Sequence, residues 1–366
     1  MRSYSGAILF SAVFIGCAAA PAHSQNFEFS NEVDLDVLVA VGDADSVREG
    51  VQADFRLRSE AEAVTQAGLR WGGALALAVR TRDGRRGLQA EGGPSSGPAG
   101  LVTGLGGSKG GEGEVIGLER AEVFIRSTLF EIYAGVGPSA ALRERIRPPS
   151  TLRLASADGG LIDPLGGALV DTGVTLSAPA PQLTVRTRRL AGFALAASLT
   201  PSGDACGPDR CLDVRYGEVD QIASAAVSFD RRVPSSRTRW SAMAGFEAGR
   251  AVAAPLSAAL DDPWIVTAQL ARETGGVMLS VSGVHAFEGV ADAEYSAISA
   301  KVSIETGDWL MDAEIGRADA DLAGRDGWTA QTGVSRFVGD RGVAGAAIRL
   351  QTNAAAALVF EAGLRF

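Results

Sequence analysis

Ala356-Ala357-Leu358-Val359-Phe360-Glu361-Ala362-Gly363-Leu364-Arg365-Phe366 is the stretch whose reading decides how this chain folds. Ala356, Leu358, Phe360, Ala362, Leu364 and Phe366 share one parity, while Glu361 and Arg365 hold the other. Successive side chains of a strand point to opposite faces, so the segment has one apolar and one wet face up to its aromatic last residue.

The alternation extends back to the first segment, where Phe27, Phe29, Val33, Leu35, Val37 and Val39 oppose Glu28, Ser30, Glu32, Asp34 and Asp36. Next, Val51, Ala53, Phe55 and Leu57 oppose Gln52, Asp54, Arg56, Arg58 and Glu60, and Leu69, Trp71, Leu75, Leu77 and Val79 oppose Gly72, Ala74, Ala76 and Arg80. Strands are further expected at 119–126, 130–136, 182–188, 193–200, 221–229, 240–248, 264–271, 277–284, 296–305, 309–316, 328–337, 343–351 and 356–366. Together they make about sixteen, at roughly ten residues per strand plus connections; a weak extra segment at 212–218 could disturb the count. No segment reads as an amphipathic helix, and beyond the N-terminal region no run of about 18 apolar residues offers a membrane-spanning one.

A hydrophobic fraction of 46%, 46 glycines and a formal net charge of −9 suit a membrane or core-rich chain and argue against nucleic acid as partner. Short turns such as Thr65-Gln66-Ala67-Gly68 and Thr306-Gly307-Asp308 contrast with long loops at 83–113 and 253–262. Lipid offers no hydrogen bonds to an open sheet edge, so the expected fold is all-β: a transmembrane antiparallel barrel whose first strand closes against its last. Trp240, Trp264, Trp309 and Trp328 each open a strand, at the rims where an aromatic girdle would sit.

Met1-Arg2, the apolar run 7–20 and the small-residue site Ala22-His23-Ser24 read as an export signal over residues 1–24, leaving 25–366 as the barrel. A lipoprotein signal at Cys17 fits poorly, because Phe14 stands three residues before it. In an exported chain Cys206 and Cys211, five apart in GDACGPDRCL, are expected to form one disulfide at a loop tip.

Residues 121–164, AEVFIRSTLFEIYAGVGPSAALRERIRPPSTLRLASADGGLIDP, place two short strands before a long loop, and Thr187 to Ser198 form the next hairpin. This arrangement resembles the general diffusion porins of Gram-negative bacteria, of the alphaproteobacterial type, over nearly the whole mature chain. The resemblance implies a trimer of 16-stranded barrels in the outer membrane, against outer-membrane lipid and lipopolysaccharide. It implies that loop 139–164 folds into the lumen as a constriction, and that Phe366 is an assembly signal for the barrel assembly machinery. Porin constriction loops commonly set acids against a basic wall. Here the loop mixes Arg143, Arg145, Arg147 and Arg153 with Glu144, Asp158 and Asp163.

On the wall, the parity opposite the lipid face carries Arg56, Arg58, Arg70, Arg80, Arg82, Arg120, Arg126, Arg186 and Arg188. A charge on the lipid face near the midplane costs roughly 2–4 kcal/mol, so these arginines should point inward. They either pair with Glu60, Glu122 and the loop acids as props, or set up a transverse field that selects solutes.

Enzymatic chemistry finds little support. With residues 1–24 removed, His285 is the single histidine, and strand parity sets it opposite Ser280 and Ser282. Gly104-Leu105-Gly106-Gly107-Ser108-Lys109-Gly110 lacks phosphate-loop spacing and context, and Asp34 with Asp36 reads as a wet face rather than a calcium site. No cofactor or metal is expected. The favoured function is passive passage of small hydrophilic solutes and ions. The alternatives are a substrate-selective channel for anions or oligosaccharides, and a structural or adhesive surface barrel. Most Trp and Phe share the lipid-facing parity and Tyr133 stands alone on the other, which disfavours an oligosaccharide track.

Overall fold

The computed structural model describes residues 26–42, 50–81, 101–103, 114–160, 165, 170–177, 179–205, 217–233, 235–253, 260–322, 326–352 and 356–366. The strands are β1 Asn26–Gly42, β2 Gly50–Val64, β3 Arg70–Thr81, β4 Glu114–Arg126, β5 Phe130–Gly137, β6 Ala180–Thr187, β7 Phe193–Ala205 and β8 Gly217–Val233. They continue as β9 Thr238–Ala253, β10 Trp264–Thr274, β11 Val277–Phe287, β12 Glu294–Thr306, β13 Trp309–Ala320, β14 Gly327–Val338, β15 Gly342–Gln351 and β16 Ala356–Arg365. One short helix, α1 Ala140–Arg143, follows β5. Every expected strand has its counterpart, most of them longer than the alternation alone suggested.

All neighbours pair antiparallel and the sheet closes: β1 pairs with β2 on one side and β16 on the other. The closing register sets Val37 opposite Ala362 and Asp36 opposite Gly363. Phe366 completes the seam, its backbone exchanging hydrogen bonds of 2.9 and 3.0 Å with Val33. Closure leaves no strand edge unpaired.

Burial inverts the pattern of a water-soluble protein. Along β13, Met311 and Ile315 are exposed on the outside while Asp312 and Glu314 are buried inside; Ile315 is 56% exposed and Glu314 6%. An apolar belt facing outward around a polar interior is what a bilayer as solvent selects. Trp240, Trp309 and Trp328 face outward beside the turns at the two rims.

Connections of a few residues, as at 65–69, 127–129, 275–276 and 307–308, lie on one rim, and the longer ones on the other. The two-residue turn Gly275-Gly276 has φ of 60° and 82°; only glycine enters this region freely, and such turns match the twist of the flanking strands. One loop tip folds back inside: Leu101 and Val102 are fully buried in an apolar cluster with Val170, Val174 and Leu176 and inward residues of β8 to β13, among them Ile222, Ile265 and Tyr295. This cluster fills the long-loop end of the β8 to β13 side of the interior.

Candidate functional site

The connection between β5 and β6 builds the interior. Ser139 caps α1, its Oγ accepting from Leu142 N at 3.3 Å and donating to Glu247. The N–H groups of Ala140 and Ala141 donate to Ser198 and Ser224 Oγ on the inner faces of β7 and β8. The chain then follows the inner wall. Ile146 N donates to Gln269 (2.6 Å), Thr151 N to Asp312 (2.8 Å), and Arg153 N and Leu154 N to Glu361 (2.7 and 2.9 Å). Ala157 N and Asp158 N donate to Glu314, and Leu176 N returns to Glu247. Leu152, Leu154, Ala155 and Leu165 of the loop bury against Leu38 and Ala40 of β1 and Val359 of β16.

Between this loop and the β1 to β4 wall remains a cavity of about 440 Å³, lined by Arg56, Arg58, Glu60, Glu119 and Arg120 from the wall and Leu142 and Arg147 from the loop. A second cavity of about 390 Å³ lies toward β6 to β11, with Glu144, Arg145, Arg186, Arg189 and Arg239 in its lining. Arg147 lines both.

The wall arginines with described side chains are paired. Arg56 meets Glu119 at 2.9 Å and Asp54 at 3.0 Å, Arg58 meets Asp34 at 2.9 Å, and Arg120 meets Glu122 at 2.5 Å. Arg126 reaches Glu62 at 2.8 Å and Glu60 at 3.0 Å. The loop joins the same network: Arg143 to Glu122 (2.7 Å), Arg153 to Asp36 (3.1 Å), and Glu144 to Arg186. Arg147 differs, with no side-chain ion pair or hydrogen bond among the described residues although it is exposed to the interior. Enclosure, then the like charges of Arg145, Arg56 and Arg58, push its guanidinium below its ordinary range, and an arginine so placed still stays charged. Burial alone would raise the Glu144 carboxyl, but hydrogen bonds from Arg186 and Ser228 hold it below the ordinary range.

No family model and no curated protein matches the chain. Its shape does match solved structures. A refined porin structure shares 14% identity over 93% of this chain and 100% of its own, with a TM-score of 0.58. An anion-selective porin from Comamonas acidovorans shares 14% identity, covering 93% and 99% of the two chains with a TM-score of 0.57. The trimer form of the outer-membrane protein OmpT of Vibrio cholerae shares 11% over the same shares of the chains, again at 0.57. The fold is that of the porins.

Within the porin fold the expected site residues divide. Arg56, Arg58, Arg120, Arg143, Glu144, Arg145, Arg147 and Arg186 line the two cavities. Arg188 sits near the short-turn rim, bonded to Ser127 O and Glu131. Asp158 is turned away into the loop, where burial would raise its carboxyl but Arg145 and hydrogen bonds from Ser299 and Thr172 hold it low. Arg80 pairs by backbone with Asp54 and Val115. Asp163, Cys206, Cys211 and the proposed signal 1–24 lie outside the described residues. His285 lies on the outer face at the rim, its ring edge-on to Trp264.

Other interior residues escaped sequence reasoning. Glu247, Asp312, Glu314 and Glu361 hold the loop by accepting its backbone N–H groups; their signal in the sequence is inward parity on β9, β13 and β16. A bulge opposite Ala76 and Leu77 sends both Glu119 and Arg120 inward, whereas alternation gives them opposite faces. Tyr133 is not the lone inward aromatic: Phe124 beneath Arg126, and Tyr295, hydrogen-bonded to Asp171, are also buried inside. Neither of these two is in the lining of the two interior cavities described above.

Proposed function

We propose that this chain is an outer-membrane porin of a Gram-negative bacterium, a channel rather than an enzyme, passing small hydrophilic solutes and ions with a preference for anions. The observation that carries the reading is Arg147, a cation without an ion partner among the described residues, standing in the lining of both interior cavities of an apolar-faced closed barrel. A charge with no contacting partner, offset only at a distance by Glu119, raises the local concentration of counter-ions in a narrow low-dielectric passage, whereas the paired wall arginines contribute mainly dipoles. The basic excess around it, and the anion-selective porin among the structural neighbours, support the same sign.

On this reading residues 1–24 are a removed signal and 25–366 the barrel, with 139–164 as its constriction. The working unit is a homotrimer in outer-membrane lipid and lipopolysaccharide, and Phe366 serves recognition by the assembly machinery. Cys206 and Cys211 close a surface loop, so a non-permeant thiol reagent should label whole cells only after reduction. The function itself is tested by the reversal potential of single channels in a salt gradient. A sign indicating anion preference is expected; a cation preference would refute the anion assignment, and absence of any conductance would refute the channel.

A further inference from the structure

The outer wall carries a feature that a passive channel does not need. An apolar depression of about 830 Å³ crosses β9 to β15, a volume in the range of roughly 300–1,000 Å³ common for small-molecule sites. The pairing register explains it. Val281, Ala300, Ile315 and Ala330 are successive cross-strand partners, and Ala313 stands opposite Val302 in the adjoining row. The alanine side chains leave the surface low between larger neighbours.

One end of the depression is charged. Trp240 lines it and is the cross-strand partner of Arg231 on one side and Arg272 on the other. All three side chains are exposed, and the Arg272 guanidinium lies 5.4 Å from the indole centroid. Neither arginine has an ion pair among the described residues, and Glu314, the acid among the lining residues, faces the lumen. Arg272 stands three positions before Gly275 of a short turn, hence near the rim. An outward arginine is expensive at the membrane midplane and inexpensive at the interface, where indoles also settle. Arg336 over Trp309, at 5.3 Å, repeats the pairing on the same rim.

We propose that this face binds one anionic phospholipid from the leaflet at the short-turn rim, its phosphate between Arg231 and Arg272 and an acyl chain in the depression. The proposal rests on the reading of the chain as a membrane barrel. Charge complementarity selects the occupant: two guanidiniums are fork donors matched to phosphate oxygens, and the apolar slot leading away from them accepts a tail.

Native mass spectrometry of the detergent-extracted protein, offered phosphatidylglycerol and phosphatidylethanolamine in equal amounts, tests this. The unaltered protein should keep one phosphatidylglycerol in preference. The double variant R231Q/R272Q should retain it roughly tenfold less, the scale of a lost charge-assisted hydrogen bond. Ala313→Phe, which fills the slot and keeps both arginines, should also lower retention. Heat-modifiable mobility and conductance should persist in every variant, certifying a folded channel. Equal retention of the two lipids, or retention unaltered by either change, would overturn the proposal with the channel reading intact. A changed oligomeric state in Ala313→Phe with unchanged lipid retention would assign the face to a protomer contact and overturn it too. Absent conductance in the unaltered protein would instead count against the channel.

Discussion

Arg147 and Arg120 face the same interior with different consequences. Arg120 is neutralised by Glu122 at 2.5 Å and Glu60 at 3.5 Å, while Arg147 meets no carboxylate among the described residues. Arg147→Gln should therefore move the reversal potential toward cations by more than Arg120→Gln. The difference should shrink with salt, as screening lengths fall from ~10 Å at 0.1 M to ~3 Å at 1 M. Equal shifts from the two variants would mean that pairing does not silence the wall. Glu144 sets a pH dependence. Its carboxyl is held below the ordinary 4.5 in the folded state, so its contribution to anchoring α1 is complete above that value and is lost as pH falls through the lowered one. Open-channel noise should rise as the pH is lowered below the ordinary carboxylate range, and Glu144→Gln should be noisy already at neutral pH. A quiet Glu144→Gln channel would count against the anchor.

At the level of elements, the described part of the loop between β5 and β6 is held by wall carboxylates rather than by secondary structure of its own, since the one helix among its described residues has a single turn. Glu361 accepts from Arg153 N and Leu154 N. Glu361→Ala leaves both donors seeking water, at about 1–3 kcal/mol for each group left unsatisfied. The expected result is a loop that samples the passage: more frequent brief closures in single-channel records, with the barrel still heat-modifiable. Unchanged gating would show that the apolar contacts of Leu152 and Leu154 with Leu38 and Val359 suffice to hold it. Shortening 139–164 should raise conductance and admit larger solutes.

For the whole molecule, closure is a property of β1 and β16 together. Deleting Phe366 removes two backbone hydrogen bonds to Val33 at the end of that seam and exposes the β1 edge there. The amount of folded, heat-modifiable protein in outer membranes should drop, and truncation of the whole of β16 should drop it further. Undiminished assembly without Phe366 would sink its role as a signal. The apolar cluster around Leu101 and Val102 adds a global asymmetry, filling the long-loop end of the β8 to β13 side while polar space remains beside β1 to β4 and, toward the short-turn rim, beside β6 to β11.

Alternation with period two is a local property, and it sufficed for the strands, the outward belt and closure, because lipid tolerates no other all-β solution. The inward parity of Arg56, Arg58 and Arg186 was legible for the same reason. The partners of those charges were not, since Arg153 and Asp36 or Ser139 and Glu247 are brought together by a loop crossing the lumen, over separations that no periodicity encodes. The bulge that turns Glu119 inward breaks the parity on which the reading depended. Arg143, Arg145, Arg147 and Arg153 look equivalent in the sequence. Only the tertiary structure decides that three of them are answered by carboxylates while Arg147 has no carboxylate within reach among the described residues, because neutralisation depends on a partner within about 4 Å and not on neighbours along the chain.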